Sequence, residues 1–163
     1  MKTLTNISLL KHMYNYQTKF NITKQCVANT MFYTDMINIH FPTEKCIPNV
    51  GIMHYYDTSI NKHIQVNHCW CLLNGNIIDP SIEYVKLPYK KTYHHNLKEY
   101  FEFLKKQPEN CTQEHKLLTI QNTCKLQKML NQFVNNFKSK TDYYEEIRDY
   151  IKDIYTKKQK RSK

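Results

Sequence analysis

Glycine and alanine are nearly missing from this chain, with two Gly and a single Ala in 163 residues, while Asn, Lys, Ile and Tyr abound. That skew points to an AT-rich genome, such as that of a large DNA virus, a protist or an intracellular bacterium, and is a statement about codons rather than about function. Long apolar runs are also lacking, so no segment is expected to cross a bilayer and no membrane partner is expected. The first residues, MKTLTNISLLKHMYN, place Thr, Asn and Ser inside their apolar stretch, which argues against a secretory signal. Without one, the six cysteines read as reduced thiols in an intracellular, cytoplasmic protein rather than as a disulfide framework. The sequons at Asn6, Asn21 and Asn110 are then expected to stay unmodified. There are no internal repeats. No carboxylate-rich loop of the EF-hand type is present, so calcium is not implied, and no cofactor is expected.

Hydrophobic residues make up 40% and aromatic ones 13% of the sequence, too much for a disordered chain. Its length suits one domain, or a compact core with an appendage. The net charge of +10 is uneven, with +7 in residues 91–163 against +3 in residues 1–90. A basic half admits nucleic acid as a partner, although no basic motif interleaved with aromatics marks a known module.

The most informative stretch is Asn67 to Ser81, NHCWCLLNGNIIDPS. Ile64, Val66, His68, Trp70 and Leu72 alternate with Gln65, Asn67, Cys69, Cys71 and Leu73, the period-2 pattern of a strand. Asn74-Gly75 then signals a two-residue type I′ hairpin turn. In that register Leu73 faces Asn76, Leu72 faces Ile77, Cys71 faces Ile78 and Trp70 faces Asp79. His68 and Asp79 become diagonal neighbours on one face, roughly 7–8 Å apart at the backbone and within side-chain reach. A carboxylate so placed fixes the imidazole tautomer and supports its cation. A slip of one residue would separate them.

Upstream, Thr23 to Phe32 opens an amphipathic helical run with Thr23 as the expected N-cap. Cys26 would lie in its first turn, where the helix dipole and free N–H groups favour thiolate and would stabilise an oxyanion.

Gln25-Cys26, then His68-Cys69-Trp70, then Asp79-Pro80-Ser81 resemble, in order and in motif, the Cys, His and Asp elements of the transglutaminase-like superfamily, relatives of the papain-like cysteine peptidases. The resemblance covers residues 20–85. Members often carry Gly before the Gln-Cys pair and Trp after it, where this chain has Lys24 and Val27. It implies a Cys26-His68-Asp79 catalytic triad, with a Gln ahead of the cysteine as second oxyanion donor. Gln17 is the candidate, although its spacing departs from the family's, and Gln25 and Trp70 are further cleft candidates.

For the remaining chain, residues 4–20 read as a first helix with Leu4, Ile7, Leu10, Met13 or Tyr14 and Gln17 on its core face. Pro42 and Pro48 mark an irregular connection over 40–49. Val50 to Tyr56 and His63 to Leu73 read as strands, and Ile82 to Leu87 as an extension of the sheet. After Pro88 the pattern turns helical, with segments around 97–104, 113–138 and 143–154. The expected fold is α+β, with the Cys-bearing helix packed on a small antiparallel sheet (residues 1–90) and a mainly helical basic extension packed on that core (residues 91–163).

Each feature also has a structural reading. A cysteine at a helix start is commonly a small core residue; a histidine in a strand is commonly structural, and Asp-Pro is commonly a turn. Trp70 is expected in the core, shielding the His68-Asp79 bond. Cys69 and Cys71 share a strand face and with Cys46 offer a zinc site, but CxC on a strand without a second spaced pair favours buried thiols and no metal. His94-His95 reads as a solvated loop, and KKQKRSK as a solvated helix end.

The combination points to a thiol-dependent acyl-transfer enzyme acting on a peptide or isopeptide amide, as a cysteine peptidase or amidase. The alternatives are amine crosslinking by the same site, and a basic binding or scaffold protein with a vestigial site.

Overall fold

A computed structural model describes residues 5–106, Lys128 and 142–161. The helix expected over 113–138 lies outside these residues, apart from Lys128. In chain order the elements are α1 (Asn6–Lys19), α2 (Cys26–His40), β1 (Cys46–Asp57), β2 (Lys62–Leu73), β3 (Asn76–Ile78), α3 (Ile82–Val85), β4 (Lys91–His94), α4 (Leu97–Lys105) and α5 (Asp142–Arg161). The four strands form one antiparallel sheet in the order β3-β2-β1-β4, so the fold is α+β.

The β2-β3 register follows the alternation and the turn: Leu73 pairs with Asn76, Leu72 with Ile77 and Cys71 with Ile78. Asn74 (φ 53°) and Gly75 (φ 84°) take the left-handed conformations that a type I′ turn demands. Asn74 also ties the turn down, its side chain accepting from the Lys45 N–H at 3.0 Å. The ladder stops at Ile78. Two residues on, Pro80 would face Cys69, and it has no N–H to give.

The second glycine has a packing reason. A Cβ at Gly51 would collide with the His94 carbonyl and the outer edge of the Trp70 ring. Its absence lets the indole lie across β1 toward β4, and Trp70 is wholly buried.

α2 is central to the fold. Ala28, Asn29, Thr30, Met31, Phe32, Tyr33, Thr34 and Ile37 are all buried, which is burial on nearly every side rather than the one-sided pattern expected. The cause is its neighbours. The sheet supplies Cys46, Cys71 and Leu73, α1 supplies Leu9, Met13 and Tyr16, and α5 supplies Ile147 and Ile151, all in one apolar cluster with Phe32, Tyr33 and Ile37. Tyr150 of α5 adds ring contacts with Tyr16 and Phe20. A separate apolar cluster joins Ile52 of β1 to Tyr100 and Leu104 of α4.

Several expectations need correction. α1 buries Leu9, Met13, Tyr16 and Gln17, and Ile7, expected inward, is 65% exposed. The Thr5-Ser8 capping box starts the helix at Asn6, and packing on α2 and α5 selects the Leu9 stripe. β1 starts at Cys46 rather than Val50. Pro48 is tolerated inside it because β4 flanks β1 only from Ile52 to Tyr55, leaving Pro48 on an edge.

The segment after Pro80 does not extend the sheet. It forms the single turn α3, whose Ile82 N–H is taken by Gln17 Oε1 at 2.9 Å. Residues 91–94 form a strand where helix or loop was expected, and His94 is buried instead of solvated. No break therefore falls at residue 90, since β4 completes the sheet of the first ninety residues. α4 starts near its expected position, with Asn96 accepting from the Glu99 N–H at 2.8 Å. Among the described residues no helix is long and apolar enough to cross a membrane.

Candidate active site

Cys26 occupies the first residue of α2. Thr23, the expected cap, does not start the helix. Instead the chain reverses through Asn21 and Lys24, both at positive φ, and the Lys24 N–H donates to Glu83 Oε1 of α3 at 2.8 Å. Gln25 takes the cap position with no side-chain capping bond, and its side chain is exposed. The first intrahelical bond runs from the Asn29 N–H to the Gln25 carbonyl at 2.9 Å. The N–H groups of Cys26, Val27 and Ala28 therefore have no acceptor within the helix, and their partial positive charge lies beside the thiol.

His68 projects from β2 and is fully buried. Its Nε2 meets Asp79 Oδ2 at 2.7 Å, the contact that the hairpin register implies. Three further groups hold the carboxylate segment. Tyr93 of β4 donates its hydroxyl to Asp79 Oδ2 at 2.9 Å, the Ser81 N–H donates to Asp79 Oδ1 at 3.0 Å, and the Tyr14 hydroxyl donates to the Asp79 carbonyl. Rings enclose the imidazole: Tyr84 of α3 is 4.2 Å away between centroids, Trp70 6.1 Å and Tyr93 6.4 Å. Trp70 also packs edge-on against Tyr93 at 5.1 Å. It walls the site on the sheet side, and its Nε1 has no partner among the described residues.

Gln17 is close to the site but already engaged. Its Nε2 donates to the Pro80 carbonyl at 2.7 Å and its Oε1 accepts from the Ile82 N–H. Both ends of the amide are committed to the chain that follows Asp79. Gln17 is thus a buried brace for the Asp79-Pro80-Ser81 turn, held there at both ends of its amide. Asn29 of α2 completes the brace, donating to Ser81 Oγ at 3.1 Å.

The electrostatics separate charge across the site. Burial disfavours a charged His68, yet the Asp79 hydrogen bond and the nearby Cys26 outweigh it, raising the imidazole from 6.5 to about 9. Cys26 moves the other way, from 9.0 to about 5. The largest cause is a hydrogen bond from the Cys69 thiol, which works against burial; His68 comes next, and the Cys69 backbone N–H adds to it. That N–H is free for the purpose because the β2-β3 ladder ended before Pro80. Among the described residues Nδ1 of His68 completes no hydrogen bond of ordinary geometry, yet the Cys26 thiol is near enough for each group to shift the other. Between about pH 5 and 9 the pair is a thiolate facing an imidazolium.

A cleft of about 420 Å³ opens beside Asp79, lined by Leu10, Tyr14, Ile77, Ile78, Val85, Lys91 and Tyr93. It borders the carboxylate end of the site. Cys26 itself is partly exposed. Among the described residues no three side chains of metal-binding type converge. Cys46 and Cys71 bracket the Thr34 hydroxyl at 3.9 and 3.5 Å in the core, one residue pair along from Cys69.

The structure thus brings Cys26, His68 and Asp79 together with Trp70, sets Gln25 at the rim, and turns Gln17 into a brace. Sequence reasoning missed Tyr93 and Tyr84, and it missed that Cys69 reaches Cys26. The signal for Tyr93 was the alternation Lys91-Thr92-Tyr93-His94, obscured by its charged and histidine neighbours. For Cys69 no signal existed, because its contact is made across the edge of the sheet. No family model, curated protein or solved structure matches this chain.

Proposed function

We propose that the protein is a thiol-dependent amide hydrolase, a cysteine peptidase or amidase of transglutaminase-like type, acting through Cys26, His68 and Asp79. One observation carries the reading: a thiol at a helix N-terminus lies beside a buried imidazole whose far nitrogen is bound by a buried carboxylate, an arrangement that favours the thiolate. Each part is common alone. Together they form the charge-separated nucleophile and acid that acyl transfer from an amide requires.

The Cys26 thiolate attacks the amide carbonyl carbon, and the carbonyl oxygen becomes an oxyanion against the free N–H groups at the start of α2. His68, as imidazolium, gives its proton to the amine nitrogen; the C–N bond breaks and a thioester to Cys26 remains. Neutral His68 then takes a proton from water, whose oxygen attacks the thioester and releases the acid and the thiolate. Asp79 holds the ring throughout. If an amine rather than water resolves the thioester, the product is a crosslink.

The test joins reactivity to turnover. Alkylation of each cysteine is followed by peptide mass spectrometry from pH 4 to 10, in the native protein and in His68→Ala, beside hydrolysis and amine incorporation with peptide and isopeptide libraries. Fast labelling of Cys26 below pH 7, abolished in His68→Ala, with cleavage of some amide, supports the reading. A Cys26 no more reactive than the buried thiols sinks it, because unperturbed thiols titrate near pH 8.5 and activated ones roughly between 3.5 and 7.5.

A further inference from the structure

The site contains one thiol more than the acyl-transfer chemistry uses. Cys69 is fully buried, lies next to His68 on β2, and packs with Met31, Val27 and Val50 against Cys26 in one small apolar cluster. Both cysteines are free thiols. Cys26 is the more exposed of the two and sits at a helix start, whereas Cys69 is buried against it. We propose that Cys26 and Cys69 form a reversible oxidation site for hydroperoxides, in which the sulfenic acid made on Cys26 is trapped by the Cys69 thiol as an intramolecular disulfide.

The chemistry balances without any group beyond the peroxide. The Cys26 thiolate attacks the outer oxygen of ROOH; the O–O bond breaks, and RO⁻ leaves as ROH with the proton of the His68 imidazolium. Sulfur is oxidised to Cys26-SOH, and the peroxide is reduced to the alcohol. The Cys69 sulfur then attacks the Cys26 sulfur. The S–O bond breaks, and hydroxide leaves as water with the proton of the Cys69 thiol. One peroxide and two thiols give one alcohol, one water and one disulfide.

The electrostatics favour this order of events. While Cys26 is a thiolate, its negative charge and the burial hold the Cys69 proton in place. Oxidation of Cys26 removes that charge, so Cys69 becomes a competent nucleophile only after its partner has reacted. The low-pKa, partly exposed thiol with a second thiol beside it is the arrangement of a redox-sensitive cysteine. The bridge consumes the nucleophile, so acyl transfer stops until a dithiol reductant restores it.

A second close pair on the same sheet face supplies the internal control. Cys46 and Cys71 flank Thr34, but both are buried, and among the described residues no imidazole is a partner of either.

The test uses the full chain, reduced and then treated with a molar excess of tert-butyl hydroperoxide, quenched with N-ethylmaleimide and digested without reductant. Chymotryptic cleavage after Trp70 separates Cys69 from Cys71. A Cys26–Cys69 bridge that dithiothreitol opens, returning both thiols, is the expected result. In Cys69→Ser the same treatment drives Cys26 to sulfinic acid, and thiol recovery falls from nearly complete to nearly none. A Cys26 sulfinate with Cys69 still alkylated in the wild type overturns the proposal; so does a bridge between Cys46 and Cys71 or between two chains, or a Cys26 inert to peroxide. The wild-type map decides by itself if the variant fails to fold. Amide hydrolysis by the reduced protein is read separately. A bridge without hydrolysis leaves this inference standing and removes the hydrolase, and hydrolysis without a bridge does the reverse.

Discussion

Two histidines five residues apart on β2 show what a partner does to an imidazole. His63 lies opposite Tyr56 in the β1 register and reaches diagonally to His54, Nδ1 to Nε2, at 3.1 Å. His68 reaches diagonally to Asp79 at 2.7 Å. Both are two-residue diagonals across an antiparallel ladder, and both rings pack against aromatic neighbours. Yet their pKa values move in opposite directions: burial lowers His63, while His68 rises to about 9 despite heavier burial. The ladder supplies proximity alone. The partner's charge decides whether the proton is held or shed, and only the carboxylate side also meets a thiol.

The comparison breaks most severely at Asp79. Asp79→Asn keeps the shape but removes the charge and the tautomer control. Amide turnover is expected to fall on the order of 10⁴-fold, as in other triads that lose the carboxylate. Rapid labelling of Cys26 at pH 6 should vanish with it. Labelling and turnover at wild-type rates would show that His68 does not need Asp79.

Tyr93→Phe removes one of the donors on Asp79 Oδ2 without touching the thiol. The loss of a buried hydrogen bond to a charged group costs roughly 1.5–3 kcal/mol, readable as a lower urea midpoint with unchanged slope. A midpoint unchanged within error would mean that water replaces the hydroxyl.

The charge separation also fixes a pH profile. The raised His68 pKa contributes stability that is complete below its unfolded value of 6.5 and lost as pH rises through about 9. The lowered Cys26 pKa contributes stability that is complete above its unfolded value of 9.0 and lost as pH falls through about 5. Between 6.5 and 9 the two slopes oppose and cancel. From about pH 5 to 6.5 only the Cys26 slope remains, so stability gains up to about 2 kcal/mol. Denaturant titrations of wild type and Cys26→Ala across that interval isolate the gain, and parallel curves would refute it.

The smallest effect sharpens the contrast from the other side. His54→Asp gives His63 a carboxylate at the same diagonal. The His63 pKa, followed by NMR titration, should rise above 6.5 with little change at Cys26. A His63 that stays low would show that burial, not partner charge, governs that position.

Much of this could be read from the residues. The Asn74-Gly75 turn and the alternation through Leu73 set the register to the residue, because a two-residue turn has few conformations and a one-residue slip would reverse every side chain. The meeting of His68 with Asp79 follows from that register. The start of α2 was misplaced, since Lys24 at positive φ is stabilised by Glu83, fifty-nine residues away, and not by any local cap. On α1, Met13 and Gln17 lie inward as expected but Ile7 does not, because several faces of that helix carry apolar residues and only α2 and α5 choose among them. β4 hid behind lysines and histidines because its pairing with β1, rather than its own hydrophobicity, makes it a strand.

What the sequence alone determined is local and short in range: which residues alternate, where the chain turns, and that a thiol, an imidazole and a carboxylate occur in that order. What tertiary structure decided is the state of those groups. Gln17 became a brace for the Asp79-Pro80-Ser81 turn because Pro80 and Ile82 offered it both partners. Tyr93 reached Asp79 from β4. Cys69 came to face Cys26 because the start of α2 packs on the Cys69 face of β2. Charge and burial are set by every neighbour within a few ångströms, and most of those neighbours arrive from distant parts of the chain.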